Sequence, residues 1–144
     1  IKGYIIPVTI FPYPDMFKTI VNVISSDKPF AKDFETRKSQ ILNAIKAGQN
    51  LIINRAVSKE IPVINVSNLN QIVTNGECIS LDNETLLNVQ TKKKGSIKIF
   101  HNGKEIKSVI SNSIKMLLNE VGKYRVEIKF GKRGFAYSNP ILVY

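Results

Sequence analysis

NEVGKYRVEIKF, residues Asn119 to Phe130, alternates apolar and charged side chains over its second half. Tyr124, Val126, Ile128 and Phe130 fall on one side, and Arg125, Glu127 and Lys129 on the other. A period of two with one apolar side is a strand with one dry face. Just upstream, Glu120-Val121-Gly122-Lys123-Tyr124 has the spacing of a tyrosine corner. In that device a ring near the start of a strand packs inward and its hydroxyl bonds to backbone a few residues back. Disulfide-bonded sandwiches carry a cysteine two residues after the tyrosine, and here Val126 holds that place. The stretch predicts one strand of a cystine-free β-sandwich, with Gly122, Tyr124 and Val126 as structural residues.

The same logic repeats on either side of it. IPVINV (Ile61–Val66), ECISL (Glu77–Leu81), ETLLNVQT (Glu84–Thr91), SIKIF (Ser96–Phe100), KEIKSVI (Lys104–Ile110), SIKMLL (Ser113–Leu118) and FAYSNPILVY (Phe135–Tyr144) are short runs divided by turn signals. Asn102-Gly103 is the strongest of these signals, because a type I′ hairpin turn needs positive φ at both central residues. Gly76, Gly95, Gly122, Gly131 and Gly134 punctuate the remainder. Seven or eight short strands in about 84 residues predict a mainly β fold, an immunoglobulin-like antiparallel β-sandwich over residues 61–144.

Residues 1–58 read differently, as a small α/β segment with two helices. Ile1–Phe11 is extended and apolar, and Pro12-Tyr13-Pro14 forbids regular structure after it. Asp15–Ile24 places Met16, Phe17, Ile20, Val21 and Ile24 at the spacing of one helical face, which predicts a short helix. A second helix is expected from Asp33 to Ala47, capped by Asp33, with Gly48 suited to the left-handed residue after it. Its buried stripe would be Phe34, Ile41, Leu42 and Ile45. Gln49–Val57 follows as a strand, and the boundary with the sandwich falls near Ser58–Glu60. So few elements bury too little surface to stand alone.

Hydrophobic residues make up 43% of the chain, enough for a core, which excludes wholesale disorder. Cys78 is the sole cysteine, so an internal disulfide and a cysteine-based zinc site are excluded. That fits a reducing compartment without fixing localisation, since a removed signal peptide leaves no trace. No apolar run reaches the roughly 20 residues of a transmembrane helix. The net charge of +10 raises the question of an anionic partner, nucleic acid included. Most of the charge is dispersed lysine, the ordinary content of a solvated surface.

Little else in the sequence points to chemistry. His101, the only histidine, sits beside the Asn102-Gly103 turn without neighbouring acids or histidines, and reads as an exposed turn residue. Cys78 reads as a small buried hydrophobe in a strand. No phosphate-binding glycine loop, paired-histidine motif or nucleophile elbow is present. The residues themselves therefore assign no catalytic, metal or cofactor site. The sharpest functional reading is electrostatic. If the strands run up and down in order, Lys92-Lys93-Lys94 and Gly131-Lys132-Arg133-Gly134 close the same end, where Lys92, Lys93, Lys94, Lys132 and Arg133 would hold a polyanion. No aromatic residues are interleaved with them to stack bases.

Several phrases also resemble the C-terminal part of PHP-domain proteins, the polymerase and histidinol phosphatase superfamily of metal-dependent phosphoesterases. They are FPYPDMF (Phe11–Phe17), ILNAIKAGQNLI (Ile41–Ile52), GSIKIFHNGKEI (Gly95–Ile106), VGKYRVEI (Val121–Ile128) and YSNPILV (Tyr137–Val143). The resemblance implies that residues 1–58 are the tail of a truncated metal-binding barrel and that the sandwich is an accessory packing or binding module. It implies divalent metal ions in the longer parent, whose ligands would lie ahead of Ile1, and none on this chain. Phe11–Met16 would then lie nearest the active-site mouth, with Phe11, Tyr13 and Phe17 packing. The expected partners are the upstream barrel and a second copy covering the apolar α/β face. The expectations from other classes are a stand-alone basic module for a polyanion, glycan or protein, and a structural piece of a surface protein.

Overall fold

The computed structural model describes residues 17–26 and 29–144. The segments Ile1–Phe11 and Pro12-Tyr13-Pro14, and the mouth residues Phe11–Met16, lie outside the described residues.

The chain is mainly β. In order, the elements are β1 (Ile20–Ile24), α1 (Phe34–Lys46), β2 (Asn50–Asn54), β3 (Val63–Ser67), β4 (Ile72–Val73), β5 (Cys78–Ile79), β6 (Leu86–His101), β7 (Lys104–Leu117), β8 (Gly122–Phe130), β9 (Arg133–Ser138) and β10 (Ile141–Val143). Residues 17–19 are helical, but Ile20–Ile24 is a strand, which overturns the short helix expected to reach Ile24. The spacing that suggested a helix is carried by β-branched side chains, and pairing of Ile20–Ile24 with Asn50–Asn54 decides the matter.

The strands form one curled, largely antiparallel sheet in the order β1-β2-β9-β8-β6-β3-β4, with β7 on β6 and β10 joined to β8 and β5. The β5–β10 pair alone is parallel among the described pairs. Strand β6 organises the rest. Its first half, Leu86–Gln90, pairs with β3, and its second half, Ser96–His101, pairs with β8. Strand β7 follows β6 along both halves, from Leu86↔Leu117 to His101↔Lys104. Each of these two hairpin arms had been expected as a pair of separate strands. The Lys92-Lys93-Lys94 run is thus no turn but part of a continuous strand, because β7 pairs on both sides of it.

Alternation builds the core. Leu87, Val89, Ile97 and Ile99 of β6, Tyr124, Val126 and Ile128 of β8, Phe135 of β9 and Ile141 and Val143 of β10 are all buried. Each such side chain contributes about 1.5–3 kcal/mol relative to exposure. Strands β1 and β2 share the sheet, since β1 pairs with β2 and β2 pairs with β9 from Leu51↔Ser138 to Ile53↔Ala136.

Helix α1 begins as its sequence suggested. The Asp33 carboxylate accepts a bond from the Thr36 N–H at 2.8 Å, and hydrogen bonds from Thr36 hold that carboxyl below its ordinary pKa. Its packing, however, reverses the expected face. Ala44 alone is buried on the helix, while Phe34, Leu42 and Ile45 are exposed at 64%, 48% and 44%. The small side of the helix, Ala44 with Gln40 nearby, turns inward and leaves Phe34, Leu42 and Ile45 of the expected stripe outside, with Ile41 half-buried. Phe17 is likewise exposed rather than packed in the core.

Candidate functional site

Three places carry the residues singled out by the sequence. The first is the corner. Tyr124 is 3% exposed and its hydroxyl donates to the Glu120 carbonyl at 2.8 Å. Burial, and then the Glu120 carboxylate, push the phenol above its usual pKa. Val126, in the position of the absent cysteine, is buried, and its N–H donates to the Ser138 hydroxyl at 2.7 Å.

The Asn102-Gly103 turn closes on this corner. Asn102 and Gly103 have φ of +49° and +86°, the positive values that a type I′ turn needs. The Asn102 side-chain oxygen accepts from the Lys123 N–H at 2.9 Å. Gly122 has φ +146°, and a Cβ there would stand 2.3 Å from His101 Nε2. Only glycine satisfies both conditions.

His101 is not the exposed turn residue that its position suggested. Its side chain is 13% exposed, stacks on Tyr124 at 4.5 Å, and has Nδ1 3.5 Å from the Glu120 carboxylate. Its Nε2 lies 3.0 Å from the Val121 carbonyl. The ring is a structural plug between the hairpin and the corner. Cys78 also departs from expectation: it is exposed, because β5 contacts the sheet through two residues and turns Ile79 inward instead.

The second place is the basic end. Between Gln90↔Ser113 and Gly95↔Ser111, residues 91–94 of β6 stand against Asn112 alone, so Lys92–Lys94 lie in an enlarged bulge. Buried Thr91 fixes it, with its hydroxyl 2.7 Å from the Lys93 carbonyl and 3.2 Å from that of Asn112. Gly95 then passes so close to β8 that a Cβ on it would lie 2.6 Å from the Phe130 ring and 2.7 Å from the Lys129 carbonyl. The β6–β8 register ends at Ser96↔Lys129. Gly95 lies against Phe130, so the bulge that precedes Gly95 and the β8–β9 turn that follows Phe130, with Lys132 and then Arg133, are at the same end of the sheet.

Lys92, Lys93, Lys94, Lys132 and Arg133 are all exposed, and none joins an ion pair among the described residues. Lys129, which sequence reading did not single out, belongs with them, opposite Ser96 and Gly134. Its place on the polar side of the Tyr124–Phe130 alternation was the available signal. No acidic residue occurs in β6, β9 or β10, and the one acid of β8, Glu127, is held by Arg125. Of the rings at this end, Phe130 stacks on fully buried Phe135 at 4.7 Å, and Tyr137, half-buried, lies over Gly134.

The third place is the seam between the α/β segment and the C-terminal stretch. The Asn139 side-chain amide donates to the Gly48 carbonyl at 3.0 Å and the Asn50 side chain at 2.6 Å. Asn50 in turn donates to Asn22 at 2.8 Å. Asn139→Ala would strand these partly buried acceptors and is expected to lower stability by about 1–3 kcal/mol, measured by urea unfolding. Beside the seam, sequence reading missed an open cleft of ≈ 580 Å³ of mixed lining, polar at Ser25, Gln40, Thr74 and Glu77 and apolar at Ala44 and Ile72. Its carboxylate is already engaged by Thr74, through N–H and hydroxyl.

Among the described residues no group of three or more histidines, cysteines or acids is placed to hold a metal ion. No helix among them is long and apolar enough to cross a membrane. Comparison of the chain with protein-family models, with curated proteins and with solved structures finds no match.

Proposed function

We propose that this chain is a non-catalytic accessory module, an immunoglobulin-like β-sandwich with an α/β extension, that packs against the barrel of a PHP-type metal-dependent phosphoesterase. The seam carries the proposal. Two of the phrases that resemble that family, ILNAIKAGQNLI and YSNPILV, are far apart in sequence yet meet through Asn139, Gly48 and Asn50. Residues that share a structural task in this way account for phrases that would otherwise be short and unrelated.

The face of α1 supports the same reading. Phe34, Leu42 and Ile45 form an apolar stripe turned away from the sheet, with a shallow cleft of ≈ 200 Å³ between Phe34 and Leu42. Such a stripe on a small domain is an interaction surface in want of a cover. In the proposed arrangement the upstream barrel of the parent covers it, and the barrel supplies the metal-activated water that hydrolyses phosphate esters. The role of this chain is to support that barrel.

The double variant Leu42→Glu/Ile45→Glu tests the assignment. In the chain alone both positions are solvated, so unfolding should shift by no more than about 0.5 kcal/mol. In a longer chain that includes the barrel, the same change buries two charges and should cost several-fold more, with loss of phosphoesterase activity. Hydrolysis by this chain alone, or equal neutrality of the variant in both chains, would reject the proposal.

A further inference from the structure

We infer that the basic end formed by the β6 bulge and the β8–β9 turn is a binding site for a polymeric phosphate or sulfate read by charge alone. It does not use the α1 face, since its residues lie on β6, β8, β9 and the β8–β9 turn.

Three observations combine. First, the cations are presented by a fixed frame: Thr91 ties down the bulge, and the contact of Gly95 with Phe130 presses it against β8. Lysines spread along a surface lose most of their attraction to an anion through their independent motion and through salt screening. Here the backbone beneath them is held, so side-chain freedom is what binding has to restrict. Second, Lys92, Lys93, Lys94, Lys129, Lys132 and Arg133 converge from two segments separated by some thirty-five residues of sequence, with no acid among the adjoining strand residues to neutralise them. Elsewhere on the same sheet Lys98 is matched by Glu105 and Arg125 by Glu127, whereas Lys104, Lys107, Lys115 and Lys123 join no ion pair among the described residues but do not cluster at one bulge and turn. Third, no ring at this end is fully exposed: Phe130 stacks on fully buried Phe135, and Tyr137, half-buried, lies over Gly134. Single-strand nucleic-acid readers owe about 1–3 kcal/mol per base to exposed aromatic platforms. A site whose one partly accessible ring is Tyr137 has no row of platforms for successive bases and favours chains of phosphate or sulfate over bases.

The experiment measures binding of the intact chain to inorganic polyphosphate, heparin and an oligo(dT) of matched charge. With about five contacts to the anion, affinity for polyphosphate should fall on the order of a hundredfold between 50 and 200 mM salt. Lys92→Glu/Lys93→Glu and Lys132→Glu/Arg133→Glu should each weaken binding about tenfold or more, because both segments belong to one site. Lys104→Glu/Lys123→Glu makes the same change of charge at the far end of β6 and β8, roughly 20 Å or more away by strand rise. That is beyond the screening length, so it should change affinity less than about threefold at physiological salt. Tighter binding of polyphosphate assigns phosphate, and tighter binding of heparin assigns sulfate; either supports the site. Preference for oligo(dT), equal effects of the near and far variants, or loss confined to one of the two near pairs would overturn it.

Discussion

Tyr124→Ala is expected to lower the unfolding free energy by about 3–5 kcal/mol, the cost of emptying a buried aromatic site. The position has more at stake than its ring. Tyr124 links the Glu120 carbonyl, the stacked His101 and the start of β8, and the Asn102-Gly103 hairpin closes over all three. Tyr124→Phe isolates the hydroxyl: it keeps the packing and removes one bond to backbone, for about 1 kcal/mol. The two variants should therefore separate clearly in denaturant midpoint at unchanged slope.

The same hydroxyl gives a pH dependence of known sign. Its pKa in the fold is raised above the ordinary 10.0, by burial first and the Glu120 carboxylate second. The folded chain then holds that proton more tightly than the unfolded one. The contribution is fully present below the unfolded value and is lost as pH rises through the folded value. Wild-type stability should accordingly fall in strong alkali by more than that of Tyr124→Phe. Parallel alkaline losses in the two proteins would show that Tyr124 does not titrate as this arrangement requires.

Gly95→Val should be the second large effect, about 3 kcal/mol, because the added atoms meet the backbone carbonyl of Lys129 as well as the Phe130 ring. A flexible side chain can step aside, whereas a paired strand has to move. The substitution should also part the bulge from the β8–β9 turn, so polyphosphate affinity should drop with no change of charge. Gly131→Ala, where nothing lies within 4 Å of the added atom, offers a contrast in packing, its cost being confined to a backbone φ of +60° that favours glycine.

Much of the fold was legible where a side chain's role is set by its immediate neighbours. Alternation from Tyr124 to Phe130, the Asn102-Gly103 turn, the Asp33 cap and the glycine beneath the corner all follow from local sterics and hydrogen bonding. What escaped depends on partners distant in sequence. Lys92-Lys93-Lys94-Gly95 has the composition of a turn, yet β7 pairs on either side of it and makes it a bulge within one strand. Ile20–Ile24 fits a helical stripe until Asn50–Asn54 offers it a strand to pair with. The stripe of α1 was identified correctly as apolar, but periodicity cannot say whether an apolar face meets its own sheet. Ala44 meets it instead.

The candidate basic site divides along the same line. Its cations could be named from the sequence, and their approach from two segments depends on the β6–β8 register. Lys129 entered only once that register was known. The exposed state of Cys78 had no sequence signal, since a two-residue strand gives no periodicity to read.

The most direct test is the nuclear Overhauser spectrum of the chain around Gly95. Strong cross-peaks from the Gly95 α protons to the Phe130 ring, together with cross-strand contacts between Ser96 and Lys129, are the result expected of a continuous β6 pressed against β8. A spectrum in which residues 92–95 show loop behaviour and no contact with Phe130 would contradict both the fold described for this end and the basic site built upon it.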